Sequence, residues 1–398
     1  MIYHGDLFNV LPTLTAESID SCATDPPYGI GVMGKEWDTF KPSNEAETLN
    51  QAIDSDNPNL KGRKRSPAVS PSAIKYDRAL NGQRAFQAWT ERWAREVYRV
   101  LKPGAHVLVC GAPRSFHRMT SGLEDAGFEV RDCLSWLYGQ GFPKSLNLGK
   151  EDDAGFAKKW NGWGTALKPS WEPIVLARKP LIDTLAVNVH IFGTGALNID
   201  ACRVPSDQQH ADKCASVVGC DSSRSKNVYG EWEGVREDSY SPLGRWPPNV
   251  LLDDESALLL DTQTGALKAS RFMYVAKPSG SERDEGCDDL PSRLPTELTG
   301  RKEGSAGLKH ARAGTDRKAS NFHPTVKPVM LMQWLVTLIT PPDGIVLDPF
   351  MGSGTTGMAA RLADRKFIGI EREAEYVEIA RRRISDTLAL FYGEEEVR

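Results

Sequence analysis

The stretch Ile345-Val346-Leu347-Asp348-Pro349-Phe350-Met351-Gly352-Ser353-Gly354-Thr355-Thr356 reads as a strand ending in an acid, a tight glycine turn and the start of a helix. Glycines in such a turn let the backbone approach a ligand closely, and the helix N-terminus offers N–H groups without intrahelical partners. The helix predicted over Thr355 to Ala363 leads to a second strand, Phe367 to Glu371, whose terminal acid lies 19 residues beyond Gly352. An acid in that place suits hydrogen bonding to both hydroxyls of a ribose. The order of strand, loop, helix, strand and acid therefore fits an adenosine-bearing cofactor. No Gly-Lys-Ser/Thr follows, which excludes a phosphate-cradling loop, and no third glycine stands at the dinucleotide spacing. A nucleoside cofactor without a pyrophosphate remains.

The same alternation extends outward. Val329 to Ile339 reads as a helix stopped by Pro341-Pro342, and Glu373 to Leu388 as a final helix. In the N-terminal part, Ser18 to Asp25 reads as a short buried strand. Phe86, Trp89, Trp93, Val97 and Leu101 recur at spacings of three or four and mark an amphipathic helix from Gln83 to Leu101, with Trp89 and Trp93 read as core. Lys102-Pro103-Gly104 should end it, followed by a strand over 105–111, a helix from Arg114 to Ala126, and strands at Phe128 to Trp136 and Pro173 to Arg178. Such alternation predicts an α/β fold, a Rossmann-like sheet with helices on both faces. Residues 181–320 are rich in Gly, Ser, Pro, Asp and Arg with few periodic runs, and 41–80 are similarly loose. The simplest organisation is one α/β domain assembled from 1–180 and 321–398, interrupted by an insertion over 181–320, though Tyr274 to Ser279 could return to the catalytic sheet.

Bulk composition narrows the function classes. The formal net charge of −4 gives no global basic field, so nucleic-acid contacts must come from local patches. Seven widely spaced cysteines argue against a disulfide framework and for a reducing cytosol. Cys202, His210, Cys214 and Cys220 lack the paired spacing of a zinc ribbon, so no metal is expected. The N-terminus has no basic start followed by an apolar run, and Val329 to Ile339 is too short to span a bilayer, so a cytoplasmic location is expected.

A second motif, Asp25-Pro26-Pro27-Tyr28-Gly29, stands at the end of the first long strand. The prolines stiffen the turn and fix the direction of the Pro26 carbonyl. An exocyclic base amine has its lone pair delocalised into the ring and is a poor nucleophile. Two acceptors, the Asp25 carboxylate and the Pro26 carbonyl, could hold both N–H bonds and restore lone-pair character. Each bond strengthens as positive charge develops on nitrogen, so the transition state gains most. Tyr28 could stack on the base and hold it for in-line attack.

With these segments in place, the chain resembles the amino-methylating DNA methyltransferases of the β order, particularly phage and prophage types. Matching segments are 4–6 (HGD), 25–31 (DPPYGIG), 34–38 (GKEWD), 168–180 (KPSWEPIVLARKP), 323–328 (HPTVKP) and 348–356 (DPFMGSGTT). Within the middle, 193–200, 244–253 and 274–284 also look like phage-type members. The resemblance implies S-adenosylmethionine as cofactor and double-stranded DNA as substrate, with a cognate restriction endonuclease and a homodimer as further partners. It implies that Asp6 bonds the cofactor adenine and Glu371 its ribose. Asp348, Phe350, Gly352 and Gly354 would line the methionine and sulfonium end, and His323, Pro324, Thr325 and Lys327 the far wall. Residues 181–320 would carry target recognition.

In that family Asp before Pro-Pro-Tyr mostly accompanies adenine N6 methylation and Ser cytosine N4, so Asp25 points to adenine, with cytosine N4 as the alternative. Methylation at carbon 5 of cytosine needs a nucleophilic cysteine in a Pro-Cys pair, which the chain lacks. An RNA or protein-amide methyltransferase, and a non-catalytic DNA-binding protein of this fold, are the rival classes. The target base must leave the helix to reach a buried methyl donor. Two basic patches are candidate phosphate contacts: 61–78, with Lys61, Arg63, Lys64 and Arg65, and 301–318, with Lys309, Arg312, Arg317 and Lys318. Trp37 is a candidate wedge or stacking residue, or an aromatic anchoring its loop.

Overall fold

The computed structural model describes residues 1–30, 38, 80–139, 141, 145–150, 154–206, 226–227, 230–231, 243–276, 282–293 and 320–392. In chain order the elements are β1 (Ile2–His4), α1 (Leu7–Val10), β2 (Ile19–Thr24), α2 (Leu80–Val100), β3 (Leu101–Cys110), α3 (Phe116–Asp125), β4 (Glu129–Leu137), α4 (Ala154–Lys159), β5 (Trp171–Arg178) and α5 (Leu185–Phe192). They continue with β6 (Lys226–Asn227), β7 (Gly230–Glu231), β8 (Val250–Asp253), α6 (Asp254–Thr264), β9 (Tyr274–Ala276), α7 (Val329–Ile339), β10 (Ile345–Asp348), α8 (Thr355–Leu362), β11 (Lys366–Glu371) and α9 (Ala374–Tyr392). Every strand and helix expected in the two flanking segments is present, with ends shifted by a few residues.

The chain divides into two compact units, one of Met1–Leu134, Pro173–Cys202 and Pro278–Arg398, the other of Ser135–Glu172 and Arg203–Lys277. In the first, the strand order is β1-β11-β10-β2-β3-β5-β4. The run from β1 to β3 is parallel, and β5 lies antiparallel on β3 with Val107 opposite Ala177. This is the Rossmann-like α/β architecture expected. From β10 the chain proceeds to β11 on one side; from β2 it proceeds to β3 on the other. The two central strands therefore meet at a topological switch point, where open α/β sheets bind ligands beyond the strand C-termini.

The central strands are continuous apolar runs because both faces are covered: all six residues of β2 are buried, as are Val107 to Cys110 in β3. Helix α2 turns Phe86, Trp93, Val97 and Val100 inward. Its neighbour α3 crosses it closely at Gly122, where a Cβ would come within 2.8 Å of the Gln87 carbonyl oxygen. Contrary to expectation, Lys102-Pro103-Gly104 does not form a turn after α2. The helix passes directly into β3 at Leu101, and Lys102 pairs with Asp20 at 2.6 Å.

The second unit holds the last three residues of β4, which pair in parallel with β8, and β8 in turn with β9. Asp253 ends β8 and caps α6, accepting from the Ser256 N–H at 2.7 Å. Neither β8 nor α6 stood out by periodicity; Tyr274–Ala276 is a strand, and it pairs with β8.

These unit bounds differ from the expected insertion over 181–320. Residues 181–202 belong to the first unit because fully buried Asn188 donates to the carbonyls of Pro103 and Thr194, at 3.0 and 2.8 Å. Gly104 has φ +79 and leaves room for that amide, since a Cβ there would lie 2.3 Å from Asn188 Nδ2. Residues 135–172, expected in the catalytic half, fall in the second unit. Among the described residues no helix is long and apolar enough to cross a membrane.

Candidate active site

Four acids stand at or just beyond the C-terminal ends of four parallel strands: Asp6 after β1, Asp25 after β2, Asp348 closing β10 and Glu371 closing β11. Asp6, Asp25 and Glu371 line one cleft together with Pro26, Pro27, Tyr28, His323, Thr325, Phe350 and Gly352. A smaller hollow continues from it past Asp25, Lys327 and Asp348 to Thr355 and Thr356. The motif carrying the glycines and the motif carrying the prolines, more than three hundred residues apart in sequence, thus share one site.

The glycine loop is held open to the cleft by its neighbours. Glu371 Oε2 accepts from the Gly352 N–H at 2.9 Å, and Oε1 from the Glu373 N–H at 2.8 Å, which orients the carboxylate at the cleft wall. Burial raises its pKa, opposed by those backbone donors. Gly352 has φ +53, and a Cβ would meet the His323 ring 2.8 Å away at Nε2. Asp348 is a loop support rather than a wall of the main cleft. It accepts from Thr24 Oγ1 at 2.6 Å and from the Phe350 N–H at 3.0 Å, and burial pushes its carboxyl up to about 6. Gly354, expected in the cofactor wall, instead faces α9: its Cβ would lie 2.9 Å from that of Ala380. Fully buried Arg383 of α9 anchors the loop from behind, donating to the Ser353 carbonyl at 2.7 Å. Nothing in its local sequence singled it out.

The 323–328 segment is fixed by the stretch 282–293. Arg283 donates to the carbonyls of Asn321 and His323, at 3.1 and 2.5 Å, and Glu282 accepts from the Val329 N–H at the start of α7. His323 Nδ1 lies 2.5 Å from the Thr325 carbonyl oxygen. That oxygen can only accept, so Nδ1 carries the proton and Nε2 presents its lone pair toward Gly352. Burial pulls this imidazole down to about 4, so the ring is neutral at physiological pH. Pro324 separates the two cleft-lining residues and lines neither hollow.

At the proline motif, Tyr28 donates from its hydroxyl to Asp25 Oδ1 at 2.6 Å, and Lys327 Nζ donates to Asp25 Oδ2 at 2.7 Å and to the Tyr28 hydroxyl at 2.8 Å. Lys327, expected on the cofactor wall, lines the smaller hollow with His323 and Thr325 and also reaches the proline motif. The turn is braced by Ser115 Oγ, which donates to the Tyr28 carbonyl at 2.5 Å, and by buried Asp38, which accepts from the Gly29 N–H at 2.7 Å. Asp38 closes the 34–38 segment that the resemblance singled out, without a role assigned from sequence.

Trp89 departs from its reading as core. It is half-buried and lines the cleft, its ring centroid 5.5 Å from that of Phe350, whereas Trp93 has no exposed surface. Helical spacing could not separate them, because both lie on the apolar face of α2. Asp6 caps α1 by accepting from the Phe8 N–H at 2.8 Å, which leaves its second oxygen for a ligand. Trp37, Lys61, Arg63, Lys64, Arg65, Lys309, Arg312, Arg317 and Lys318 lie outside the described residues, as do His210, Cys214 and Cys220. Among the described residues no group of three His, Cys, Asp or Glu side chains is set to hold a metal.

The donor set fits a nucleoside cofactor: a fixed carboxylate for a diol, a glycine loop that admits close approach, and an apolar wall of Phe350 and Trp89. A parallel sheet with such a cleft at its switch point, and an Asp-Pro-Pro-Tyr turn beside it, defines a nucleoside-cofactor enzyme acting on a planar amine. The chain belongs to the DNA methylase family N6_N4_Mtase, which matches residues 19–382. It is an S-adenosylmethionine-dependent DNA methyltransferase of the restriction–modification type, acting on an amino group.

The chain is 26% identical over 401 residues to the type II methyltransferase M.HindIII of Haemophilus influenzae, covering 99% of this chain and 98% of that protein. A shorter match, 48% identical over 67 residues, is to the type II methyltransferase M2.DpnII of Streptococcus pneumoniae, covering 17% of this chain and 25% of that protein. Among solved structures, the PvuII DNA methyltransferase (cytosine-N4-specific) aligns over 99% of this chain and 93% of that one at 17% identity, with a TM-score of 0.46. The M1.HpyAVI–SAM complex aligns over 96% and 98% at 17% identity, with a TM-score of 0.41.

Proposed function

We propose that the protein methylates the N6 amine of an adenine turned out of duplex DNA. The observation that carries this is the Asp25 carboxylate at the head of a rigid Pro-Pro turn, in the same cleft as Phe350 and Gly352. Bound there, S-adenosylmethionine supplies an electrophilic methyl on a positively charged sulfur. Asp25 and the Pro26 carbonyl accept the two amine N–H bonds and drive electron density onto nitrogen. As the new bond forms, the amine becomes cationic, and both acceptors gain strength where charge appears. The surplus proton then leaves along the bond to the Asp25 carboxylate and on to water.

Tyr28 orients the base. Its hydroxyl is tied to Asp25, and the Lys327 ammonium sits at that hydroxyl edge, 5.3 Å from the ring centroid, rather than over the ring face on which a base would stack. Glu371 takes the cofactor ribose, Asp6 the adenine, and neutral His323 with Thr325 the opposite wall. Lys61, Arg63, Lys64 and Arg65, with Lys309, Arg312, Arg317 and Lys318, are the candidate contacts to DNA phosphates, and Trp37 the candidate wedge or stacking residue. Target recognition is assigned to residues 181–320. As a restriction–modification enzyme it would shield sites cut by a cognate endonuclease.

The choice of adenine rests on Asp25 leading the turn. The test is methylation of unmethylated DNA with labelled cofactor, digestion to nucleosides and mass spectrometry, with Asp25→Ala as control. N6-methyladenine that disappears in the variant is expected. N4-methylcytosine would overturn the base assignment while keeping the chemistry.

A further inference from the structure

We propose that Lys327 reads and shields the ring nitrogen beside the target amine, so that the enzyme selects adenine or cytosine over guanine and thymine and methylates only outside the ring. The proposal rests on the function above and deepens it. Its starting point is the acceptor–donor pair that Asp25 and Lys327 form, with 2.7 Å between Oδ2 and Nζ and side-chain exposures of 18% and 9%.

Adenine at C6 and cytosine at C4 carry an amine where guanine and thymine carry an oxygen, and the two share one edge pattern there. Adenine places its N6 donor beside the N1 acceptor, and cytosine its N4 donor beside the N3 acceptor. Guanine and thymine place an oxygen acceptor beside a ring N–H donor. A carboxylate next to an ammonium is complementary to the first pattern and opposed to the second, for the carboxylate can only accept and the ammonium only donate. Enzymes that act on extruded bases commonly read this edge by hydrogen bonds. Lys327 is placed for it by its own segment: Pro328 follows, and the N–H of Val329 is held by Glu282. Before a base enters, the ammonium occupies Asp25; when the amine takes over that carboxylate, the adjacent ring nitrogen supplies the ammonium with a new acceptor.

Shielding matters because the ring nitrogen is the better nucleophile. Its lone pair lies in the ring plane and is not delocalised, unlike that of the amine. In either reaction the methyl–sulfur bond breaks with its electron pair left on sulfur, giving a neutral thioether, and a nitrogen lone pair forms the new bond. Attack by the amine releases one N–H proton, which Asp25 is placed to accept; attack by the ring nitrogen releases none and leaves a cationic base. An N–H bond from Lys327 occupies the competing lone pair.

The decisive experiment uses the wild-type protein and a duplex bearing its mapped recognition sequence. The target base is replaced by its deaza analogue, 1-deazaadenine or 3-deazacytosine according to the product found on natural DNA. Loss of a hydrogen bond to a charged group predicts a fall of about tenfold or more in kcat/KM on the analogue. In Lys327→Met, checked for folding by cofactor binding, natural and analogue duplexes should behave alike. Its product from natural DNA, digested at neutral pH, should carry ring-methylated nucleoside at about ten times the wild-type share, by the same reasoning. Where that variant does not turn over, the ratio of duplex affinities is read instead. Equal wild-type rates on both duplexes, or the same discrimination in the variant, would overturn the proposal. An absence of any exocyclic methyl on natural DNA would instead remove the function on which it rests.

Discussion

Thr24 at the end of β2 donates a 2.6 Å hydrogen bond to Oδ1 of Asp348 at the end of β10, buried and joining positions 324 apart in the chain. The two strands also pair in parallel, Leu347 opposite Cys22. The loop that follows each strand therefore leaves the sheet from a common, locked edge. That lock sets the proline turn beside the glycine turn. It also makes Asp348 a buried acid whose charge state the fold must bear.

The pH dependence of stability should show this. Burial carries Asp348 from the ordinary 3.8 up to about 6, so the native state binds its proton more tightly than the unfolded chain. Stability from this group is present below that window and is lost as pH rises through it. His323 acts in the opposite sense. Its ring moves from 6.5 down to about 4, so its contribution is present above 6.5 and is lost as pH falls toward 4. Denaturant melts across the interval should rise more steeply with pH in Asp348→Asn and less steeply in His323→Gln than in the wild type. Slopes unchanged in both variants would contradict the assigned charge states.

Gly352 and Gly354 should fail in different ways when replaced by alanine. Both have positive φ, +53 and +85, so each substitution carries some backbone strain. At 352 the new methyl meets the His323 ring at the cleft, and the main effect should be weaker cofactor binding. At 354 it meets Ala380 of α9, and the main effect should be lost stability, about 1–3 kcal/mol for such overpacking. Calorimetric titration with S-adenosylmethionine and thermal melts distinguish the two; a reversed pattern would show that the loop faces the other way.

Glu371→Ala should lower cofactor affinity by about ten- to a hundredfold, the range for losing hydrogen bonds to a charged acceptor. Its effect on duplex binding in the absence of cofactor should be small, since Glu371 closes β11 on the cofactor side of the cleft. Titration calorimetry and fluorescence anisotropy give the two affinities separately. A loss of duplex binding without a loss of cofactor binding would relocate the ribose.

Asp38 offers a test of the proline turn. It accepts from the N–H groups of Gly29 and Ile30, at 2.7 and 3.3 Å, and holds the backbone after Tyr28 in place. Asp38→Ala should cut kcat by about tenfold or more, in line with a lost charged hydrogen bond, while cofactor affinity stays near wild type. Asp38→Asn keeps an acceptor oxygen and should recover part of the rate. Equal kcat in all three proteins would make the brace irrelevant to turnover.

The sequence by itself determined the alternation of strands and helices, the glycine loop before α8, the proline turn after β2 and the acid that closes β11. These are local properties. Periodicity and turn chemistry act over a few residues, so they are written where they are used. Only the tertiary structure decided that β2 lies beside β10, that Lys327 reaches Asp25 across 302 positions, and that Arg383 anchors the glycine loop from α9. It also decided that Trp89 lines the cleft while Trp93 fills the core, although one apolar helical face carries both. The bounds of the second unit escaped for the same reason: Asn188 draws 181–202 onto β3 through hydrogen bonds that no hydropathy pattern encodes. A contact between distant segments depends on how the sheet orders its strands, and that order is fixed by burial of the whole apolar surface at once.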